Sequence, residues 1–441
     1  MVTRDHHDWV LRVFGRQGVQ ITSQKFFSVD AAAKFSIFAF FLLITDQALV
    51  IAAFKFGVPI RPVFFYLVIA AVLLVTAVLQ SGFCHLVSDP FFLPFTAIVA
   101  VGALMYRGEA IGPDFGAMVS EQFPSSLGYA IWPALNLAAS AGLNLLARHE
   151  RFRAPLVMAS FAALVLQVAT MEADMWWPAI FGDPGSRAGG LARNANTAAL
   201  VVSVLAALLL ETRLAPYAAV LAAFGVLLSQ SRAGVLTALV LTGCLLFSES
   251  RRLVSRPSIL FGVAVAFVLA MTIDLSPVLN PSPLLNPLPQ AVASPLTLED
   301  RVQERASSDA SVRQRWSALI FFSRIVIEHP FGFGTGFTNR FAIGPHNSFL
   351  KLAVDNGVIS AIGILLLLVA VSWRAFETRS PAVTALALIA WLNAMFYHTF
   401  MVDPITLPIM ATAIGLSASS PRMFQKQRPP GEYLWRARSD L

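Results

Sequence analysis

A histidine, an asparagine and a serine stand in a row where a long polar segment meets a new apolar run. They are residues 346–348, and the polar stretch before them also contains Arg340. The dipole at a helix N-terminus disfavours an imidazolium, so a histidine placed there tends to be neutral. A neutral imidazole near physiological pH can accept a proton from a hydroxyl group. A single histidine is more often structural than catalytic, but this position favours His346 as a base, with Arg340 and Asn347 as substrate contacts.

Arginines form the second group of candidate site residues. Arg232 lies in the short turn 229–234 between two apolar runs. An ionisable side chain there is costly unless it snorkels, pairs with another group or lines a polar cavity. A guanidinium can also bind phosphate oxygens through two parallel hydrogen bonds. Together with the arginines of two longer polar segments, Arg232 indicates an anionic ligand; those arginines are Arg187, Arg193, Arg313, Arg315, Arg324 and Arg340.

The segment 187–196 is built from small and polar residues. Gly189 and Gly190 allow another backbone to approach closely. Asn194 and Asn196 could hydrogen-bond a sugar or a phosphate group. Asn196 is also predicted to cap the apolar helix that follows, because asparagine is a favoured N-cap residue. The two roles are compatible.

The composition predicts a membrane protein. The chain has 441 residues, of which 56% are hydrophobic and only 13% are charged, whereas soluble domains carry about 25% charged residues. A bilayer is crossed by a helix of about 20 apolar residues, which satisfies its own backbone hydrogen bonds. We predict an all-α polytopic protein with about twelve transmembrane helices, near 35–54, 63–80, 91–106, 124–147, 154–171, 196–211, 215–230, 233–248, 257–275, 347–372, 381–399 and 404–418.

Basic residues in the short loops predict the orientation of these spans. They cluster after spans four, eight and ten and in the C-terminal tail, which fits both termini being cytoplasmic. The net charge of +7 is then explained mostly by basic residues in the cytoplasmic loops. No nucleic-acid partner is expected. The basic residues concerned are Arg148, Arg151, Arg153, Arg251, Arg252, Arg256, Arg374, Arg379, Arg422, Lys426, Arg428, Arg436 and Arg438.

The two longest polar segments, near 172–195 and 276–346, are then expected to face outward. Proline-rich residues 276–298 cannot form a helix and predict an extended tether, whereas 311–329 has the periodicity of a helix lying on the membrane surface. The glycines at 332, 334 and 336 lack the features of a nucleotide loop and are expected to let the loop fold back tightly. The predicted organisation is a cytoplasmic segment 1–34, N-terminal helices 35–171, helices with a motif loop 172–275, a periplasmic loop 276–346, C-terminal helices 347–418 and a cytoplasmic tail 419–441.

Taken together, these segments resemble the O-antigen ligase and O-antigen polymerase superfamily of bacterial membrane glycosyltransferases, which also includes exopolysaccharide polymerases. The resemblance runs from about 180 to 420 in the order and spacing of its motifs, and many members have proline where this chain has Ala195. Those motifs are Gly190-Leu-Ala-Arg-Asn-Ala-Asn196, Ser231-Arg-Ala-Gly234, Arg313 to Trp316, His329-Pro-Phe-Gly-Phe-Gly334, His346-Asn-Ser-Phe-Leu350 and Asp355-Asn-Gly357.

The resemblance implies a helical fold of the glycosyltransferase C type at the bacterial inner membrane, with its active site facing the periplasm. It implies an undecaprenyl-diphosphate-linked glycan as donor, the lipid A core or a second lipid-linked glycan as acceptor, and neither metal nor other cofactor. His346 matches the histidine proposed to activate the acceptor, and Arg187 and Arg232 match arginines that bind the diphosphate. Arg313 or Arg315 matches a third arginine; spacing does not choose between them, and Arg313 is favoured. The expected site comprises His346 and Arg232 as catalytic residues and Arg187, Arg193, Asn194, Asn196, Arg313, Arg315, Arg340 and Asn347 as substrate contacts.

Ligases and polymerases share these motifs, so the sequence leaves open which of the two this chain is. An exopolysaccharide polymerase is equally open. A transporter of lipid-linked sugars is the alternative from another class, although transporters usually place broken helices and charges near the membrane midplane. Here the charges gather in the loops.

Overall fold

The computed structural model describes residues 23–45, 47–59, 61–87, 126–177, 180–181, 188–247, 310–341, 344–345, 347–396 and 403–418. These residues form helices joined by turns and contain no β-strand, which confirms the predicted all-α class. A π-helical segment, Phe40–Thr45, continues the first helix, and Gly190–Ala192 and Phe337–Arg340 are 3₁₀ turns. The α-helices are α1 (Ser23–Ala39), α2 (Ala48–Phe54), α3 (Pro62–Ser81), α4 (Phe83–Val87), α5 (Ser126–Ala147), α6 (Glu150–Trp176), α7 (Ala195–Leu208), α8 (Ala215–Ser229), α9 (Arg232–Phe247), α10 (Ala310–Glu328), α11 (Ser348–Asn356), α12 (Val358–Thr378), α13 (Pro381–Phe396) and α14 (Thr406–Ala418).

Three of the described helices are long and apolar enough to cross a membrane: α3, α6 and α12. The 20 residues of α3 correspond to about 30 Å at about 1.5 Å per residue. Shorter apolar stretches lie in α5, α7, α8, α9, α13 and α14. The count of twelve spans stays a prediction, and the spans expected at 91–106 and 257–275 lie outside the described residues.

The centre of the main core is α7. Nearly all of its side chains are buried, as expected for a helix that is apolar on every side. It packs against α6, α8, α9 and α13. Ser203 on α7 and Thr237 on α9 share a buried hydrogen bond of 2.7 Å between their hydroxyl oxygens, so α9 is held to α7 by a polar contact as well as by packing.

A second, smaller core is separate from the main one, although α11 contributes side chains to both. It joins α10, the 3₁₀ turn Phe337–Arg340 and α11 through the buried side chains Ala318, Phe322, Ile325, Phe337, Phe341 and Val354. The amphipathic helix predicted at 311–329 therefore exists as α10. Ile320 and Ile327 on its other face are exposed.

The structure corrects the expectation of one continuous span over 347–372. Gly357 interrupts the helix with φ of 84°, so that α11 ends at Asn356 and α12 begins at Val358. A Cβ on Gly332 would lie 2.5 Å from the backbone nitrogen of Gly357. The two backbones can approach this closely because both residues are glycine. The candidate span is therefore α12 alone, and His346 precedes the separate nine-residue helix α11.

Candidate functional site

The described structure contains part of the expected site. His346 and Arg187 lie outside the described residues. The backbones of Arg232, Arg313, Arg315 and Arg340 are described, whereas their side chains are not. Arg193, Asn194, Asn196 and Asn347 are described with their side chains, and they report how the site is built.

The first turn of α7 is capped by Asn194. Its backbone is extended, with φ of −99° and ψ of 130°, and its Oδ1 accepts from the N–H of Asn196 over 2.8 Å. The expectation that Asn196 would be the cap is therefore wrong by two residues, because Asn196 is already helical. This frees the side chain of Asn196 for another contact.

That contact joins two helix N-termini. The hydroxyl of Ser231 donates to Oδ1 of Asn196 over 2.8 Å, and the same hydroxyl oxygen accepts from the N–H of Gly234 over 3.2 Å. Ser231 thus caps α9, whose first residue is Arg232. A Cβ on Gly234 would lie 2.8 Å from the Cβ of Ala199, so the helices approach closely here. The N-terminal ends of α7 and α9 therefore lie side by side.

Such an arrangement favours an anion. A helix N-terminus carries a partial positive charge and backbone N–H groups that lack intrahelical acceptors. Two adjacent N-termini add their fields, and each is flanked by an arginine, Arg193 before α7 and Arg232 at the start of α9. Phosphate groups bind at helix N-termini for these reasons.

A buried face of α6 holds the loop before α7; we call its residues Gln167, Thr170 and Asp174 the α6 anchor. The N–H of Gly190 donates to Oδ2 of Asp174 over 2.7 Å, and the N–H of Phe181 donates to Oδ1 over 2.8 Å. The hydroxyl oxygen of Thr170 accepts from the N–H of Leu191 over 3.3 Å. Nε2 of Gln167 donates to the carbonyl of Gly189 over 3.0 Å. The motif loop is thus fixed by four hydrogen bonds to its backbone.

The loop before α11 is held in a different way; we call Thr338, Lys351 and Asp355 the α11 anchor. Oδ1 of Asp355 accepts from the N–H of Thr338 over 2.7 Å, and Oδ2 accepts from the Thr338 hydroxyl over 3.1 Å. Nζ of Lys351 donates to the same hydroxyl oxygen over 2.9 Å and lies 3.7 Å from Oδ2 of Asp355. All three residues are buried. Arg340 therefore lies in a turn that is fixed to α11.

Burial and pairing act in opposite directions on Asp355. Desolvation raises the pKa of its carboxyl group, while the Lys351 ammonium and hydrogen bonds from Thr338 and Gly336 lower it. The net effect is a pKa above the ordinary value for aspartate. The ammonium thus offsets part of the cost of a buried carboxylate.

The glycine-rich stretch folds back on α11 as expected. The N–H of Phe333 donates to the carbonyl of Val354 over 2.9 Å, and the N–H of Gly334 donates to the carbonyl of Asp355 over 2.6 Å. These carbonyls belong to the last turn of α11, which has no intrahelical partners for them. Asn347 caps the other end, since its Oδ1 accepts from the N–H of Leu350 over 3.0 Å. His346 therefore directly precedes a helix N-terminus, as predicted.

Sequence reasoning missed the α6 anchor, Thr338 and Lys351. Gln167, Thr170 and Asp174 lie at spacings of three and four residues in an apolar helix, which is the pattern of one helix face. This spacing is the sequence signal from which a polar face on α6 could have been predicted. Among the described residues, no group of three or more His, Cys, Asp or Glu side chains could hold a metal ion.

The described helices and their apolar lengths define an all-helical membrane protein. Residues 217–366, about a third of the chain, match the model of a protein family described as O-antigen ligase. This match confirms, over that stretch, the resemblance to the O-antigen ligase and polymerase superfamily drawn from the motifs. It includes the motifs around Arg232, Arg313, His346 and Asp355, whereas the loop 187–196 precedes it. No curated protein matches the chain.

Proposed function

We propose that the chain is a glycosyltransferase that moves a glycan from an undecaprenyl-diphosphate donor to an acceptor hydroxyl, as an O-antigen ligase with the lipid A core as acceptor. The family match supports ligase or polymerase activity in polysaccharide assembly. The observation that carries the site is the hydrogen bond between Ser231 and Asn196. It joins the N-termini of α7 and α9 and thereby the segments that contain Arg193 and Arg232.

In this proposal the site lies at the periplasmic face of the bacterial inner membrane, with both termini in the cytoplasm. The lipid tail of the donor lies in the bilayer and its diphosphate lies at the adjoining helix N-termini. Arg187, Arg232 and Arg313 neutralise the charge that grows on the leaving diphosphate, as preorganised cations do in other transferases. Arg193, Asn194 and Asn196 lie at the same end of α7. Arg315 lies on α10, Arg340 lies in the turn fixed to α11, and Asn347 follows His346 and caps α11.

The chemical step is a direct displacement. The oxygen of the acceptor hydroxyl attacks the anomeric carbon, and the bond between that carbon and the diphosphate oxygen breaks. The proton of the hydroxyl passes to His346, and the diphosphate leaves with both electrons of the broken bond. One displacement inverts the anomeric centre. The caps of α7, α9 and α11 support this chemistry, because they fix helix N-termini whose partial positive charge favours negative charge nearby.

A polymerase that joins lipid-linked repeats would use the same site with a different acceptor. Deleting the gene and separating the surface polysaccharide on a gel distinguishes the two. Loss of a ligase leaves core lipid without glycan and accumulates lipid-linked polymer, whereas loss of a polymerase leaves single repeats on the core. Unaltered lipopolysaccharide together with lost capsule or slime would indicate an exopolysaccharide polymerase.

The joined N-termini can be tested with a matched pair of variants. Ser231→Ala removes the hydroxyl that connects α9 to Asn196, and we expect glycan transfer in the deletion strain to fall at least tenfold, about 1.4 kcal/mol. Ser231→Thr retains a hydroxyl and should restore transfer. Ser203→Ala removes a hydroxyl that connects the same two helices elsewhere, to Thr237, and should leave transfer unchanged. Equal transfer by the two alanine variants would contradict the proposed site.

A further inference from the structure

The loop between α6 and α7 holds an arginine in a conformation that arginine rarely adopts. Arg193 has φ of 60° and ψ of −48°, and the N–H of Asn194 donates across it to the carbonyl of Ala192 over 2.6 Å. This is the γ-turn of positive φ, which is rare and strained. A glycine would adopt it without that strain. Residues held in strained conformations cluster at ligand sites and persist only where their surroundings determine them.

The surroundings of Arg193 meet this condition. A Cβ on Gly189 would lie 2.1 Å from the carbonyl oxygen of Arg193, so the turn closes directly onto Gly189. A Cβ on Gly190 would lie 2.8 Å from the hydroxyl oxygen of Thr170. The loop is thus pressed against the α6 anchor, with Ala188 to Ala192 all buried. A change of backbone conformation at Arg193 would break contacts on both sides of it.

The α6 anchor itself is unusual for its position. Gln167, Thr170 and Asp174 are buried within a helix that is apolar enough to cross a membrane. Polar side chains buried at membrane depth are costly and mark functional sites by default. Their described partners include backbone groups of the loop before α7, at Gly189, Gly190 and Leu191, and the Thr170 hydroxyl also donates to two carbonyls of its own helix. The polar face of α6 thus holds the loop that carries Arg193 through hydrogen bonds to its backbone.

A second arginine with positive φ provides the contrast. Arg379 has φ of 51° and ψ of 25° at the C-terminal end of α12, where its N–H donates to the carbonyl of Ala375. A left-handed residue at a helix end is a common way to terminate a helix. Arg379 therefore needs no further explanation, whereas the γ-turn at Arg193 does.

We infer that Gln167, Thr170 and Asp174 are positioning residues that hold the strained turn so that the Arg193 guanidinium binds the diphosphate of the lipid-linked donor. This inference rests on the proposed function and assigns part of its donor site. Arg193, whose side chain is half-buried, directly precedes the N-cap residue of α7, and a helix N-terminus offers an anion hydrogen bonds from backbone N–H groups. A guanidinium adds two parallel hydrogen bonds to phosphate oxygens in that position. A glycine at position 193 would relieve the strain, but it would also remove the cation that binds the diphosphate.

The decisive variant is Arg193→Gly, tested in the purified full-length protein in lipid nanodiscs with undecaprenyl diphosphate as the probe. We expect its melting midpoint to rise by about 1 to 3 °C, because the strain is relieved. We expect its affinity for the probe to fall about tenfold or more. Arg193→Lys keeps the charge and should lose less affinity than Arg193→Gly. Arg379→Gly is the matched control, and it should raise the midpoint while leaving affinity at the parental value.

The anchor is tested by changing one hydroxyl. Thr170→Val removes the oxygen that accepts from Leu191 and should lower affinity for undecaprenyl diphosphate severalfold, and Thr170→Ser should restore it. Thr76→Val is the control, because among the described residues the Thr76 hydroxyl bonds only to carbonyls of its own helix. It should change the midpoint and not the affinity. Parental affinity in Arg193→Gly, or equal affinities in Thr170→Val and Thr170→Ser, would overturn the inference.

Failure of this inference can be distinguished from failure of the proposed function. If the parent protein forms glycosidic bonds while Arg193→Gly binds the probe normally, the inference fails and the proposed function stands. If the parent binds undecaprenyl diphosphate through Arg193 and forms no glycosidic bond, the transferase proposal fails and the diphosphate site stands.

Discussion

The α6 anchor and the α11 anchor both fix a loop that carries a candidate site arginine, but they do so through different contacts. In each, a buried carboxylate accepts hydrogen bonds from a loop that precedes a helix N-terminus and carries a candidate site arginine. The α6 anchor lies on a long membrane helix and bonds to backbone groups of its loop. The α11 anchor joins Lys351 and Asp355 of a nine-residue helix to Thr338 of the 3₁₀ turn, and it depends on the Thr338 side chain and on the Lys351 ammonium.

The difference shows what each loop can tolerate. The hydrogen bonds from α6 to the loop backbone do not depend on loop side chains, but they require a close approach at Gly190, where a Cβ would lie 2.8 Å from Thr170. The α11 anchor instead depends on the side chains of Thr338, Lys351 and Asp355. Its charges are coupled, so its stability depends on pH. The following changes separate the two anchors, from the largest expected effect to the smallest.

Asp174→Ala should have the largest effect. It leaves the buried N–H of Gly190 and the half-buried N–H of Phe181 without their acceptor, at about 1 to 3 kcal/mol each. We expect the free energy of unfolding to fall by about 2 to 6 kcal/mol, measured by thermal unfolding of the purified protein in detergent. The control is Glu172→Ala, an exposed carboxylate on the same helix. Similar losses of stability in the two variants would mean that the hydrogen bonds of Asp174 do not stabilise the loop.

Gly190→Ala should rank second. The alanine would have to adopt φ of 53° with its Cβ 2.8 to 2.9 Å from Thr170 and Met171. Strain of this kind and overpacking together cost about 2 to 3 kcal/mol. Gly243→Ala, where a Cβ meets nothing within 4 Å, should instead be neutral or stabilising by up to about 1 kcal/mol. A neutral Gly190→Ala would show that the loop does not press against α6.

Lys351→Met should change the pH dependence of stability. Loss of the ammonium raises the folded-state pKa of Asp355 further above its unfolded value of about 3.9. The folded state then binds the proton more tightly, so its stability is greatest below the unfolded pKa and falls as pH rises through the folded pKa. Each pKa unit added to that window lowers stability at higher pH by about 1.4 kcal/mol.

The measurement for Lys351 is the melting midpoint between pH 4 and pH 8. The midpoint of Lys351→Met should fall more steeply with rising pH than that of the parent. The double variant Lys351→Met with Asp355→Asn removes the titrating group and should lose this extra slope. Parallel curves for the parent and Lys351→Met would mean that the two charges are not coupled.

Thr338→Val should have the smallest effect. It keeps the N–H bond to Asp355 and removes the hydroxyl that bonds to both Asp355 and Lys351, at about 1 to 2 kcal/mol. Thr338→Ser keeps that hydroxyl and should remain within about 0.5 kcal/mol of the parent. The comparison uses the same thermal unfolding in detergent. A larger loss of stability in Thr338→Ser than in Thr338→Val would contradict the role of the Thr338 hydroxyl in the α11 anchor.

Much of the helical arrangement could be predicted from the sequence, because long apolar runs and N-cap residues are local signals. The helices α3, α8 and α9 begin and end within a few residues of the predicted spans. The break at Gly357 was missed because its cause is a contact with Gly332, 25 positions away in the chain. Asn194 and Asn196 could not be separated as caps, since both are asparagine and only the backbone conformation decides.

The sequence suggests charged residues for the candidate site, and these stay predictions, whereas it does not suggest the residues that hold the loops in place. Arginines in polar loops and a histidine before an apolar run are visible in the sequence. The partners of Asp174 and Gln167 are backbone groups 16 and 22 residues further along the chain. A backbone group has no signature in the sequence, so only the folded loop reveals which polar residues of α6 hold it.

Formation of a new glycosidic bond by the purified protein tests the central proposal most directly. The parent and His346→Ala would be incubated in nanodiscs with lipid-linked glycan donor and acceptor extracted from the deletion strain. We expect the parent to form the linked product, and His346→Ala to bind undecaprenyl diphosphate while forming at least about a hundredfold less product. Movement of the donor across the bilayer without a new bond, or undiminished product from His346→Ala, would contradict the account.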